Sequence, residues 1–400
     1  MKAVSEGRIG LNSEVFQEQM YQCLNCRACE AVCPSGVEYG KIVEASRAQI
    51  EQVRGKPVPL PSAAPVSETP PPLPWWLRLL RWGVFGGLFA HLSWFRAFSR
   101  VLALYQRSGV QWLVRTSGLL RWVGMHEMEA MLPPMSRTFV VPQGQVCPAH
   151  GTRRFTVALL SGCIMSTAFA HVHEATIRVL QRNGCEVIIP PDQQCCGALH
   201  IHSGELEGGR SLACRNIAAF EGLGVDAVIV NAAGCGSTLK EYGNLLHSDP
   251  AWHRRAQRFS RRVKDVNEFL AGMELNRAAL GPLPLHVTYQ EPCHLAHAQR
   301  ITREPRVLLR AIPGLRLREM RESALCCGSA GVYNLTHPEM AQQLGERKVS
   351  HALDTVAEVI ATANPGCALQ MAAELRRRGK AVAVRSIVEL LDEAYQRGEG

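Results

Sequence analysis

Residues 195–210, CCGALHIHSGELEGGR, and residues 326–341, CCGSAGVYNLTHPEMA, each open on a Cys-Cys-Gly triplet, and their relation decides the fold of this 400-residue chain. Cys163 precedes Cys195 and Cys196, and Cys235 follows them inside NAAGCGSTLKEYG. In the same order, Cys293 precedes Cys326 and Cys327, and Cys367 follows inside ANPGCALQMAAEL. Corresponding cysteines lie 130, 131, 131 and 132 residues apart. An offset this constant over four positions marks an internal duplication. Around the first copy, FTVALLSG reads as a buried strand, Met165 to Asn183 as a helix with an apolar stripe, and EVIIP and DAVIVNAAG as two further strands. Strand–helix alternation implies a mostly parallel sheet covered by helices. The expected fold class is therefore α/β, with two tandem duplicated cysteine-rich modules at 151–280 and 281–400.

Composition agrees with a large folded chain. Hydrophobic residues make up 46% and charged residues 20%, which excludes a disordered or collagen-like protein. Fifteen cysteines are many for this length. The opening MKAVSEGRIGLNSEV carries no apolar h-region, so the reading expects a protein on the cytosolic side of the membrane, where cysteine clusters serve metal or redox chemistry.

Ahead of the modules, residues 1–56 form a first unit containing CLNCRACEAVCP, with Cys23, Cys26, Cys29 and Cys33 spaced C-x2-C-x2-C-x3-C-P. This is the bacterial ferredoxin spacing, and it predicts a small α-helical ferredoxin-like segment binding a [4Fe–4S] cluster. Short x2 loops let three thiolates converge while backbone N–H groups turn toward the sulfides. A structural zinc site is the weaker alternative, because four cysteines packed this tightly are unusual for zinc. In two-cluster ferredoxins the fourth cysteine of a run serves the other cluster, which sets Cys33 apart from the first three; Cys147, followed by proline, is a remote substitute thiolate.

Residues 57–74 hold eight prolines and read as a stiff spacer. The region 75–150 follows. From Thr69 to His126 there is no Asp or Glu, yet the stretch carries seven arginines and six of the seven tryptophans. Its longest uncharged apolar run, Trp82 to Phe95, falls short of the ~20 residues that span a bilayer. Arginine and tryptophan without acids fit a membrane interface, and an amphipathic helix pair docking on a partner subunit fits as well. No recognition fold for nucleic acid accompanies the arginines.

Three readings of the module cysteines stand side by side: clusters, zinc or a redox-active disulfide, and packing. The sites would be formed by Cys163, Cys195, Cys196 and Cys235 in one copy and Cys293, Cys326, Cys327 and Cys367 in the other. His202, His294 and His297 are nearby candidates, read first as satisfied loop histidines. Cys185 and Cys214 fall outside the repeat and read as packing residues. No glycine-rich dinucleotide fingerprint follows a strand, and no acid–base constellation suggests a catalytic pocket.

CLNCRACEAVCPSGVEYG, CCGALHIHSGELE, AAGCGSTLKEYG and LCCGSAGVYNLTHPEMA together resemble the iron–sulfur subunit family of bacterial glycolate oxidases, over essentially the whole chain. More broadly the pattern is similar to the cysteine-rich CCG proteins, which include heterodisulfide reductase and lactate-utilisation subunits. The resemblance implies an electron-transfer subunit of an oxidoreductase complex. Its FAD-binding partner subunits would oxidise glycolate to glyoxylate, its acceptor would be a membrane quinone, and it would sit peripherally on the inner face of the cytoplasmic membrane. Two departures stand out. The family carries two ferredoxin-type runs, and this sequence opens at what resembles the linker between them. Heterodisulfide reductase modules end in C-x-x-C, where this chain has Ala232 and Asn364.

Overall fold

The structure is a computed structural model describing residues 1–54, 74–122, 124–125, 129 and 132–399. Nearly all of the expected proline-rich spacer therefore lies outside the described residues. The first sheet contains β1 (Gln145–Cys147), β2 (Phe155–Leu159), β3 (Cys185–Ile189), β4 (Ala227–Val230) and β5 (Val263–Asp265), in the order β1-β3-β2-β4-β5. The second contains β6 (His286–Tyr289), β7 (Arg316–Arg318), β8 (Val359–Thr362) and β9 (Ala383–Ser386), in the order β7-β6-β8-β9. Setting aside β1, which pairs antiparallel with β3, both sheets are parallel throughout and share one topology: β2, β3, β4 and β5 correspond to β6, β7, β8 and β9. The duplication read from cysteine spacing is thus a duplication of sheets.

Every residue of β4 and of β8 is buried. Both strands sit inside their sheets with helices on each face, where a continuous apolar run is the stable choice. The apolar core does not stop at the module boundary. Val157, Val179 and Leu180 of the first module belong to one buried cluster with Val287, Leu391 and Tyr395 of the second. The helices Ala170–Arg182 and Ile387–Gly398 pack together there. Arg178 and Arg182 both reach Asp392, and the amide of Asn183 exchanges hydrogen bonds with the Tyr395 hydroxyl. Helix Ile387–Gly398 begins at a Ser386–Glu389 capping box, which fixes the angle at which it meets its partner.

The N-terminal unit is helical, with helices Glu14–Gln22, Ala28–Ala31 and Tyr39–Val53 around the cysteine run. The expectation of a [4Fe–4S] segment is corrected: among the described residues no group of three or more Cys, His, Asp or Glu is arranged to hold a metal ion. The spacing brings the four thiols close along the chain, but they do not converge on one centre. Cys29 is exposed, and the Cys33 thiol accepts the N–H of Val37 from its own loop.

Between this unit and the modules lie helix Trp75–Arg81, a π-helical stretch Trp82–Leu88, and helices Leu92–Arg107, Val110–Thr116 and Leu119–Trp122. No described helix is long and apolar enough to cross a membrane.

Candidate functional site

In an open α/β sheet, the loops leaving the C-terminal strand ends where the strand order reverses form the usual binding crevice. In both sheets the strand order reverses at the first strand, β2 or β6, and the cysteines follow that strand and its two neighbours. Cys163 follows β2 and caps the short 3-10 helix Ile164–Ser166. Cys195 and Cys196 occupy the loop after β3, and Gly197, in the left-handed region at φ +82°, turns the chain into helix Ala198–His202. Cys235 lies in helix Ala233–Lys240 after β4. The second module repeats the arrangement with Cys293 at the start of the π-helical turn His294–Ala298, Cys326 and Cys327 after β7, and Cys367 in helix Pro365–Arg377.

Within each module the thiols meet in sequence. Cys163 and Cys195 Sγ atoms are 3.8 Å apart, and Cys196 and Cys235 are 3.2 Å apart. Cys293 is hydrogen-bonded to Cys326, and Cys327 lies 3.3 Å from Cys367. All remain free thiols. The hydrogen bond to Cys195 and burial push Cys163 well above the ordinary thiol range, and its counterpart Cys293 is raised in the same way by Cys326 and burial. At Cys195 and Cys326 the bond to the preceding thiol pulls downward, but the bond to the neighbouring thiol and burial outweigh it. The expectation of a second metal centre or zinc in these modules is corrected as well, since no described group of ligand side chains fits one.

The two thiol chains face each other. Ala233 donates its N–H to the Ala363 carbonyl at 3.0 Å, and Gly234 donates to Asn364 Oδ1 at 3.2 Å. The Asn364 amide in turn reaches Cys367 Sγ. Asn364, at a position where a C-x-x-C module would carry cysteine, therefore ties the two modules together. A cavity of about 390 Å³ opens between them, lined by the eight module cysteines, by His202 and His294, and on one wall by Phe89, Phe95 and Phe98.

The N-terminal cysteine loop is clamped to this junction. Asn25 and Arg27 adopt left-handed backbone at φ 50° and 61°. Arg27, buried, bridges Glu30 and Glu241. Arg47 donates to the carbonyls of Met20, Cys23 and His202. Burial raises the Cys26 thiol, and Cys293 of the second module is near enough to raise it further. Cys147 ends β1 and packs against the main core, and Cys185 and Cys214 lie at the start of β3 and in helix Leu206–Glu221. His202 and His294 line the cavity, while His297 Nε2 meets the Ala324 carbonyl outside it.

Three supporting residues carried no signal in the sequence. Lys348 is fully buried, and its ammonium donates to the carbonyls of Glu322, Ser323 and Leu325 at 2.6–2.9 Å, directly before Cys326. In the first module that task falls to neutral groups. Asn216 accepts from Gln194 N–H and donates to the Cys195 carbonyl, and the Tyr242 hydroxyl donates to the Cys196 carbonyl.

Known proteins share this organisation. The family model of a cysteine-rich domain matches residues 157–240 and 287–372, and that of the glycolate oxidase iron–sulfur subunit linker region matches residues 76–132. A probable glycolate oxidase iron–sulfur subunit of Bacillus subtilis is 42% identical over 98% of this chain and 86% of its own length. The glycolate oxidase iron–sulfur subunit of Escherichia coli is 32% identical over 95% of this chain and 83% of its own. Lactate utilization protein A 1 of Bacillus cereus is 30% identical over 59% of this chain and 98% of its own. With both modules and the linker matched, the chain belongs to the family of glycolate oxidase iron–sulfur subunits and is an electron-transfer subunit of an oxidoreductase complex of that type.

Proposed function

We propose that this chain relays the electron pair released when FAD-binding partner subunits oxidise glycolate to glyoxylate, passing it toward a quinone at the inner face of the cytoplasmic membrane. Glycolate gives up two electrons and two protons, and a quinone takes up two of each, so the relay has only to carry what one partner releases to the other. One arrangement supports the reading above all. The cysteine loop runs from exposed Cys29 to half-buried Cys26, which is within electrostatic reach of Cys293, a residue lining the cavity shared by the two modules. The proposed route enters at the loop of Cys23, Cys26, Cys29 and Cys33 and ends at the shared cavity, where the Cys196–Cys235 and Cys327–Cys367 pairs, once oxidised to disulfides, would take up two electrons and two protons to become two thiols each. The test is Cys26→Ser in the assembled complex. Glycolate-dependent reduction of a quinone analogue should fall at least ~10-fold, a barrier increase of about 1.4 kcal/mol, while the flavin subunits still reduce a dye directly. Wild-type quinone reduction would remove Cys26 from the route.

A second reading, dithiol chemistry of the heterodisulfide-reductase kind, is favoured by the 3.2 Å Cys196–Cys235 and 3.3 Å Cys327–Cys367 separations. A disulfide bond is ~2.05 Å long, so either pair closes with a shift of about 1 Å. Closure forms one S–S bond and releases two electrons and two protons to an acceptor such as an oxidised flavin. Cys235→Ser and Cys367→Ser would each remove one disulfide from protein oxidised under denaturing-free conditions, read by mass; unchanged masses on oxidation of the wild-type chain would dismiss the reading.

A further inference from the structure

We propose that the groove between helix Leu92–Arg107 and residues 136–141 binds the phosphate of an anionic phospholipid, with the neighbouring exposed aromatic stripe lying in the headgroup layer. The inference rests on the peripheral membrane position proposed above and names the lipid class and the residues that would recognise it.

Helix Leu92–Arg107 has two apolar faces. Leu92, Phe95, Ser99 and Ala103 are buried against the body of the protein at the 3–4 residue spacing of one helix face. A packed surface helix needs only that stripe. On the other side Trp94, Phe98, Val101 and Leu104 are 57%, 51%, 66% and 67% exposed. Trp75, Trp76 and Trp82 before this helix and Trp112 and Leu113 after it are exposed as well. Indole rings and aliphatic side chains at one surface suit the boundary between headgroups and acyl chains.

The arginines of the segment divide into two groups. Arg81 is tied inward to Glu51 and Glu205, and Arg115 to Glu129. Arg100, Arg107 and Arg137 instead surround a groove of about 370 Å³ whose other walls are Ala103, Leu104, Ser136, Phe139 and Val141, with no carboxylate among them. None of the three forms an ion pair among the described residues; Arg107 donates only to the Ser136 carbonyl. Arg96 stands one turn before Arg100 with Nη1 buried and unpartnered. A protein partner would have to bring several carboxylates to this one place beside an apolar stripe. An anionic bilayer offers both components everywhere on its surface.

The experiment is flotation of the full-length chain with vesicles of phosphatidylcholine alone and of phosphatidylcholine mixed with phosphatidylglycerol. The wild-type chain should float with the mixed vesicles and far less with the neutral ones. Arg100→Gln/Arg137→Gln, both exposed positions, should weaken binding to mixed vesicles roughly 25-fold, about fivefold per arginine, and leave neutral vesicles unaffected. Trp94→Ser/Val101→Ser should weaken binding to both. Equal flotation of wild-type and double-arginine chains, or no flotation of the wild-type chain, would overturn the proposal. Loss of co-purifying subunits in the double-arginine variant, with flotation intact, would give the surface to a protein partner. Glycolate-dependent reduction of a soluble quinone analogue by the detergent-solubilised complex does not depend on vesicles, so its failure would bear on the electron relay alone.

Discussion

His202 of the first module and His294 of the second stack face to face, ring centroids 5.2 Å apart and planes 9° from parallel. Glu44, from the N-terminal unit, accepts from His202 Nδ1 at 2.9 Å, so three parts of the chain meet at one pair of rings. Burial and the neighbouring His202 lower His294 to about 3, and burial lowers His173, inside the first module, to about 4. An unfolded imidazole titrates near ~6.5. Between that value and the folded ones, the unfolded chain holds protons that the folded chain refuses, so stability falls as pH falls. The slope is about 1.4 kcal/mol per pH unit for each group. Glu44 adds in the same direction: burial raises it, but His202 and Asn25 hold it below the usual carboxylate range, and that contribution is lost on acidification through its folded pKa. Thermal melts should therefore show a clearly lower midpoint at about pH 5 than at about pH 7.5, and His294→Phe should narrow the gap. Equal gaps in variant and wild-type chain would mean that His294 takes up its proton in the folded state.

Lys348 makes a second prediction. Its ammonium satisfies three carbonyls in the turn that presents Cys326 and Cys327. Burial lowers its pKa while the nearby cysteines would favour its charge. Lys348→Met keeps the buried stem but leaves three carbonyls without a donor, at a cost of about 3 kcal/mol. Urea denaturation should show that loss, and Cys326 and Cys327 should become accessible to a thiol reagent well below the unfolding midpoint. A change under about 1 kcal/mol would mean that water takes over the three carbonyls.

These two sites differ in how far the sequence announced them. The first sheet was legible because Val157–Leu159 and β4 are buried and continuously apolar, and the second only through the duplicated triplet, which marks equivalent strand ends. β7 was not, since Arg316–Arg318 is an exposed edge strand that pairs only on one side. The eight module cysteines were legible as two groups, but not their pairing, which depends on the register of loops across each sheet. The four-iron reading failed for a related reason: spacing fixes how far apart thiols are along the chain and leaves open whether they converge. Lys348 was invisible as one lysine among the charges of helix Pro338–Leu353; only the fold shows that its position faces inward.

Thiol reactivity should follow the same division. The N–H groups of Val37 and Ser35 lower the Cys33 thiol, which lies in a surface loop. The thiolate is the nucleophile, so Cys33 should alkylate first at neutral pH. Cys163, Cys196, Cys293 and Cys327 are raised by their thiol partners and by burial, and should stay unmodified until the chain unfolds. Mass mapping after brief iodoacetamide treatment reads the order directly. Labelling of Cys196 or Cys327 at the rate of Cys33 would show that the junction opens in the native state.

The glycines of the two triplets should differ in cost when replaced, although both hold the left-handed backbone, Gly197 at φ +82° and Gly328 at φ +89°. An alanine pays about 1–2 kcal/mol for that conformation at either position. At Gly197 an added Cβ would sit 3.4 Å from Gly209, an ordinary contact. At Gly328 it would sit 2.5 Å from the Ala341 carbonyl oxygen, which is backbone in helix Pro338–Leu353. That oxygen cannot rotate away, so the helix or the cysteine turn must shift, adding about 1–3 kcal/mol. Gly328→Ala should thus cost about 3 kcal/mol and Gly197→Ala about half as much, measured by urea denaturation of the full chain. Since helix Pro338–Leu353 also carries Lys348, the shift at Gly328→Ala should loosen the Cys326–Cys327 turn as well and speed its labelling. Equal costs at the two glycines would mean that the second module yields at the Ala341 contact without strain.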